Sequence, residues 1–139
     1  MAFLQEYLDP FSSKLTYIVG VISIVRGIQC WVSPARQYDE YGLPQENAIS
    51  PLIYAKGIQD YGFGLLLLIL NTGGHANAVT LLILVGALMS LADGFVILRN
   101  GKKGTAWRHL VVGLIWGLWY WLRLPLNSGP TYQVTVRAS

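Results

Sequence analysis

Apolar residues in this chain come in long runs divided by short polar breaks, and the run lengths predict its elements. A helix needs about 20 mostly apolar residues to cross a bilayer. Four stretches approach that length: residues 15–32, 52–70, 78–98 and 107–124. The second and third are separated by NTGGHAN (71–77), whose paired glycines and asparagines predict a turn. A basic, Gly-rich loop, 99–104, precedes the fourth, which stops before Pro125. The pattern predicts an all-α integral membrane four-helix bundle, one domain over residues 1–139.

The segments outside these runs say less. Phe3, Leu4, Tyr7, Leu8 and Phe11 recur at helical spacing, which predicts a short helix lying in the membrane interface. A frayed tail fits the same residues equally well. Glu6 and Asp9 stand where a signal peptide would carry cations. Residues 125–139 hold two prolines and a β-prone end, TYQVTV, with no targeting pattern. The connection 33–51 is the longest; it contains Pro34, Pro44, Pro51, Tyr38, Tyr41, Asp39, Glu40 and Glu46. A long connection over a bundle is expected to be a lid or a plain linker.

Composition excludes several classes. Apolar and aromatic residues make up 53% of the 139 positions and charged residues 12%, about half the charge of a soluble domain. Too few polar side chains exist to cover a water-exposed surface, so a soluble enzyme, a disordered tail and a disulfide scaffold are all excluded. Cys30 is the single cysteine, so it has no intrachain disulfide partner, and no metal-ligand spacing occurs. The net charge of +3 does not point to nucleic acid, because the basic residues flank apolar runs instead of forming one patch. With four spans, Arg36, Arg99, Lys102, Lys103 and Arg108 share one side, and Lys14, Arg123 and Arg137 the other. The positive-inside rule then places loops 33–51 and 99–106 in the cytosol. The expected location is the endoplasmic reticulum or another endomembrane, multi-pass.

Four charges remain within the spans: Arg26, Lys56, Asp60 and Asp93. Such residues are costly in a bilayer and default to a functional hypothesis. At 1.5 Å per residue, Arg26 falls about 9 Å from the face that carries the connection 33–51 (loop one), Lys56 and Asp60 about 6 and 12 Å, and Asp93 about 8 Å. All four therefore lie in one half of the membrane, although alternate helices run in opposite directions. Their faces agree as well. Small residues share each stripe: Ser23, Gly27 and Cys30 with Arg26; Gly57 and Gly64 with Lys56 and Asp60; Gly86, Ser90 and Gly94 with Asp93. A fourth stripe carries His109, Gly113, Trp116, Gly117 and Tyr120. Small residues mark close helix contact in lipid, so the charges are expected to face the bundle interior. Arg-Gly-Ile-Gln (26–29) recurs as Lys-Gly-Ile-Gln (56–59), a hint of duplication.

Two uses fit this cluster. In the enzymatic one, Asp60 or Asp93 is general acid or base on a lipophilic substrate, and Arg26 or Lys56 holds an oxygen. Low dielectric favours the protonated form of a carboxyl, the form that donates to an alkene, epoxide or carbonyl. Gln29, Tyr61, Ser90 and Trp116 are the candidates to line the substrate. No nucleophile triad, haem motif, phosphate loop or metal set occurs, so no cofactor and no metal are expected, and isomerisation or cyclisation is the residual chemistry. In the structural use, Lys56 pairs with Asp60 at i,i+4 and Arg26 with Asp93 across helices, fixing the bundle's register. A transporter would use the same groups as a proton relay and would need to oligomerise. His109, beside Arg108, is expected at the surface or as a cap, and Trp107, Trp119 and Trp121 as interfacial anchors. Expected partners are membrane lipid and a lipophilic small molecule, with a second copy or a partner membrane enzyme.

The stretch YAKGIQDYGFGL (54–65) resembles the Lys/Arg-Gly-Ile-Arg-Asp…Gly-Leu signature of a family of small four-helix membrane proteins. That family is frequent in filamentous fungi, also occurs in bacteria and is labelled a domain of unknown function. Lys56, Gly57, Asp60 and Gly64 are the matching residues, with Gln59 where the family often carries arginine. The resemblance implies a DoxX-type bundle layout and, since some fungal members lie beside natural-product genes, work on terpenoid- or polyketide-like intermediates of secondary metabolite biosynthesis. The alternative is a non-catalytic accessory or lipophile-binding protein.

Overall fold

The computed structural model describes the backbone of residues 2–42 and 50–127, and the side chains of 12–42 and 50–123. Among the described residues the regular elements are all helices: α1 (Ala2–Val32), α2 (Pro34–Glu40), α3 (Pro51–Thr72), α4 (Ala76–Asn100) and α5 (Lys103–Asn127). Three segments are long and apolar enough to cross a membrane: Ser12–Val32 within α1, Pro51–Thr72 and Ala76–Asn100. At 25 residues, α5 matches α4 in length. It differs in carrying Lys103, Arg108 and His109 in its first two turns and in holding much of its apolar bulk in Trp and Tyr. Large apolar side chains face outward on every long helix, among them Ile18, Val25, Leu66, Ile69, Leu88, Phe95, Leu114 and Leu118. An apolar exterior over glycine-rich contacts suits lipid and not water.

Local chemistry sets the helix ends. Pro51 opens α3 with its φ already helical, and the Ser50 hydroxyl accepts the Leu52 N–H at 3.3 Å, satisfying one orphan donor. At the other end Gly74 takes φ +72°, a left-handed conformation that glycine adopts without strain. The reversal into α4 thus needs only residues 73–75. It is shorter than the expected 71–77 because Asn71, Thr72, Ala76 and Asn77 stay helical.

Two expectations change. The N-terminal stretch is not a separate interfacial helix, because α1 runs unbroken through 31 residues. The side chains of Phe3 to Phe11 and the segment TYQVTV lie outside the described residues. In the connection 33–51, residues 33–42 and 50 are structured and tied to the bundle, and residues 43–49 lie outside the described residues. Pro34 starts α2, and both this helix and the residues after it are fastened to the rest of the bundle. The Gly42 carbonyl accepts the Lys102 N–H at 2.8 Å, and Lys102 Nζ donates to Asp39 at 2.8 Å. The Ser50 N–H donates to the Tyr38 hydroxyl at 2.8 Å.

The long helices pack as two pairs, α1 along α3 and α4 along α5. The α1–α3 contact is backbone against backbone. A Cβ added at Gly27 would stand 2.6 Å from the Tyr61 nitrogen and 2.7 Å from the Gly57 carbonyl oxygen. One at Gly64 would stand 2.8 Å from the Ile24 nitrogen. The repeated Arg/Lys-Gly-Ile-Gln therefore has a physical reading: its two glycines face each other where the helices touch. In the second pair Gly113 receives Leu91 and Gly94 receives Leu110, whereas Gly117 meets nothing within 4 Å. The Gly113–Gly117 spacing is not a paired notch.

The pairs meet through α3 and α4, which form a wedge, and through α1 and α5, where Trp119 Nε1 donates to Ser12 Oγ at 3.1 Å and Arg123 to Thr16 Oγ1 at 3.4 Å. Near the tight α3–α4 turn, Phe63 and Leu67 of α3 bury against Val79 and Ile83 of α4, with Trp116, Trp119 and Tyr120 packed around them. Toward loop one a hollow opens between the two helices, lined by Leu52, Ile53 and Lys56 of α3 and by Asp93, Val96 and Ile97 of α4.

Candidate functional site

A cavity of about 270 Å³ lies between the pairs. Val19, Ile22, Phe63, Met89, Val112 and Trp116 supply its apolar wall, and Arg26, Lys56, Asp60, Asp93, Tyr41 and His109 its polar end. Each helix contributes from the face that its small residues mark. Ser23 and Arg26 are one turn apart on α1, as are Lys56 and Asp60 on α3, and Ser90 and Asp93 on α4.

Lys56 is the hub. Its Nζ donates to Asp60 Oδ1 at 3.1 Å on its own helix and to Asp93 Oδ2 at 2.8 Å across the wedge. These side chains are mostly shielded, at 18%, 14% and 32% exposure. The other oxygen of Asp60, Oδ2, accepts the Tyr41 hydroxyl at 2.7 Å. Such short bonds to an ionised acceptor are the stronger kind. The pairing of Arg26 with Asp93 does not form. Arg26 rides on α1, across the cavity from α4, and its guanidinium lies 5.3 Å from the centre of the Tyr41 ring, a cation–π contact. Its Nε is buried with no hydrogen-bond partner. Lys56 balances one of its two carboxylates and Arg26, at longer range, balances the other, so the formal charge of the four residues is zero.

Tyr41 reaches this cluster from loop one. It is 3% exposed, its ring also stands 6.0 Å from that of His109, and Cys30 Sγ lies 4.0 Å from its hydroxyl. Burial pushes its phenol well above the usual range, and the neighbouring Asp60 charge adds to the effect. The hydroxyl accordingly keeps its proton and serves as a donor.

The remaining candidates divide. Ser90 and Trp116 line the cavity; Ser90 Oγ donates to the His109 carbonyl at 2.9 Å, tying α4 to α5. Gln29 and Tyr61 lie elsewhere. Gln29 accepts from Gln37 at 3.3 Å, and Tyr61 packs on Trp31, ring centres 5.5 Å apart, on the α1–α3 side. Tyr61 comes directly after Asp60, so about 100° of helix turn carries it off the cavity face. His109 is a correction in the other direction: expected at the surface, it forms part of the cavity wall. Tyr41 and Met89 were also missed. The one signal for Tyr41 was its place in the connection above the charged half.

A second hollow, about 430 Å³, opens on the loop-one side of the same wedge. Leu52, Ile53, Val96 and Ile97 line its flanks, Tyr38, Ser50 and Asn100 its rim, and Tyr41, Lys56 and Asp93 its inner end. Those last three also bound the inner cavity. The Lys56–Asp93 bridge is thus a partition with space on both sides.

Residues 20–123, which include the whole site, match a protein family described as Domain of unknown function (DUF4267). No curated protein and no solved structure matches the chain.

Proposed function

We propose, for a chain that belongs to the DUF4267 family, a membrane-embedded isomerase or cyclase that acts on a lipophilic small molecule by acid–base chemistry. The observation that supports this reading is the cavity itself, which joins an apolar wall to two carboxylates, a phenol and two cations. The reading includes four spans, with α5 the fourth, in the DoxX-type layout, loops 33–51 and 99–106 cytosolic, and an endomembrane location. A terpenoid- or polyketide-like carbonyl compound suits the wall. Asp60 or Asp93 takes a proton from carbon beside the carbonyl, and the proton returns at a second carbon, so the formula is unchanged. Arg26, whose buried Nε has no partner, holds the oxygen as negative charge builds on it. Tyr41 orients Asp60.

The test compares membranes carrying wild type, Asp60→Asn or Asp93→Asn, each incubated with a panel of lipophilic carbonyl and polyene precursors. General acid–base groups contribute about 10²–10⁴-fold, so product is expected to fall by that factor at unchanged accumulation and thermal stability. Variants that fail to accumulate would instead support a second reading, a non-catalytic accessory protein whose charges are structural ion pairs. One observation favours that alternative: Lys56 already engages both acids, and Tyr41 caps one of them. Orientation is tested separately. A reporter fused after Lys103 is expected to read cytosolic and one at the C-terminus to read the opposite side; the reverse overturns the assigned topology.

A further inference from the structure

The outer hollow has no part in the chemistry just described, yet it shares a wall with the cavity that does. α3 and α4 are held together at residues 73–75 and by the buried Phe63, Leu67, Val79 and Ile83. Toward loop one the hollow opens between them, as the mouth of a wedge between two membrane-crossing segments. Its flanks are hydrocarbon: Leu52 is 77% exposed and Val96 55%. The rim residues Ser50 and Asn100 stand at the helix ends, where headgroups would lie. At its inner end are Tyr41, Lys56 and Asp93, three of the polar groups that the cavity presents.

We infer that the α3–α4 wedge seats the hydrocarbon chain of a single-chain membrane lipophile whose oxygen-bearing end reaches Lys56 and Tyr41, so that the substrate enters from the bilayer and not from water. This rests on the lipophile-binding half of the proposed function. Three observations carry it. The hollow is continuous with the site through shared residues. Its flanks are apolar, and the outer two residues, Leu52 and Val96, face lipid while Ile53 and Ile97 are buried behind them, so a chain entering between the helices from the bilayer lies against hydrocarbon. And the ionic link across the wedge among the described residues, Lys56–Asp93, sits where the chain's polar end would arrive. Lys56 keeps Asp60 as a partner when Asp93 swings away, so the partition opens without leaving the cation unpaired. The same zero charge sum argues that the ligand's polar end is a neutral oxygen function, an alcohol or carbonyl, in preference to a phosphate.

The experiment uses the full chain in phosphatidylcholine vesicles with a diazirine-bearing hexadecanol as probe, and adducts are located by peptide mass spectrometry. Adducts are expected on the peptides holding Leu52–Ile53 and Val96–Ile97. Leu52→Trp and Val96→Trp, both at exposed positions whose enlargement leaves the core untouched, are each expected to cut those adducts about tenfold, equivalent to 1.4 kcal/mol. Leu81→Trp, on the lipid face near the turn, is expected to leave them unchanged. Adducts spread evenly over the lipid-facing surface, or insensitive to both Trp plugs, overturn the proposal. The wild-type chain itself separates the two ideas: wedge adducts without turnover of the carbonyl panel leave the seat standing and count against the acid–base reading alone, whereas turnover without wedge adducts overturns the seat alone. Competition by hexadecyl phosphate as strong as that by unlabelled hexadecanol would refute the preference for a neutral head.

Discussion

The two ends of the α3–α4 wedge are built from opposite materials. At the turn, Phe63, Leu67, Val79 and Ile83 close on each other beneath the rings of Trp116 and Trp119, and the helices need only shape to stay together. At the mouth, the same two helices are held by Lys56 reaching Asp93 at 2.8 Å, with a hollow on each side of the bridge. Dispersion and lipid exclusion cannot give specificity of that kind, and an ion pair in an apolar medium is an expensive way to join helices. The dry end shows that this chain can close a helix contact without charge. On the proposed function, the charges at the mouth serve what occupies the space around them.

Substitutions can sharpen or break that contrast. The largest effect is expected at Lys56. Lys56→Met leaves Asp60 and Asp93 without the cation that bridges them, with Arg26 at longer range balancing one of the two, and unfolding in detergent is expected to shift by about 3–5 kcal/mol. Adding Asp60→Asn and Asp93→Asn is expected to restore most of that loss, and a triple variant no better than the single one breaks the charge account. Next comes Leu67→Ala, at the dry end and 1% exposed, expected to cost about 2–5 kcal/mol while activity per folded molecule is unchanged. Tyr41→Phe reverses that profile. It removes a hydrogen bond to an ionised group, about 1.5–3 kcal/mol, and turnover is expected to fall more steeply than thermal stability. Smallest is Lys102→Ala. Its bridge to Asp39 is 63% and 60% exposed, so less than about 1 kcal/mol is expected, visible as faster amide exchange in α2.

How much of the fold and the site was legible in the sequence depends on the kind of signal each residue carries. Run length announces long helices, and α3 and α4 lie close to their expected bounds. Depth and face are periodic properties of one helix, so Arg26, Lys56, Asp60, Ser90, Asp93 and Trp116 could be assigned to one interior from spacing alone. Partner choice is not periodic. Whether Arg26 or Lys56 meets Asp93 depends on which helices pair closely, and here the facing Gly27 and Gly57 bind α1 to α3 and leave Lys56 nearest to α4. Tyr41 was hidden for a related reason: its position depends on how Gly42, at φ +66°, and the Lys102 bond fold a connection back over the bundle. Tyr61 was misplaced because the residue directly after Asp60 points away from it on a helix, and Gln29, one turn from Arg26, was misplaced because Gln37 of α2 engages its side chain at 3.3 Å.

The central claim is that this cavity moves protons on carbon, and isotope uptake tests it most directly. Membranes containing the wild-type chain are equilibrated in deuterium oxide with the lipophilic carbonyl panel, and recovered compounds are weighed by mass spectrometry. The account predicts deuterium on carbon in at least one substrate or product, at a rate reduced about 10²-fold or more in Asp60→Asn or Asp93→Asn. Deuterium uptake equal in wild type and both variants, or absent from a lipophile shown to label the wedge, would contradict it.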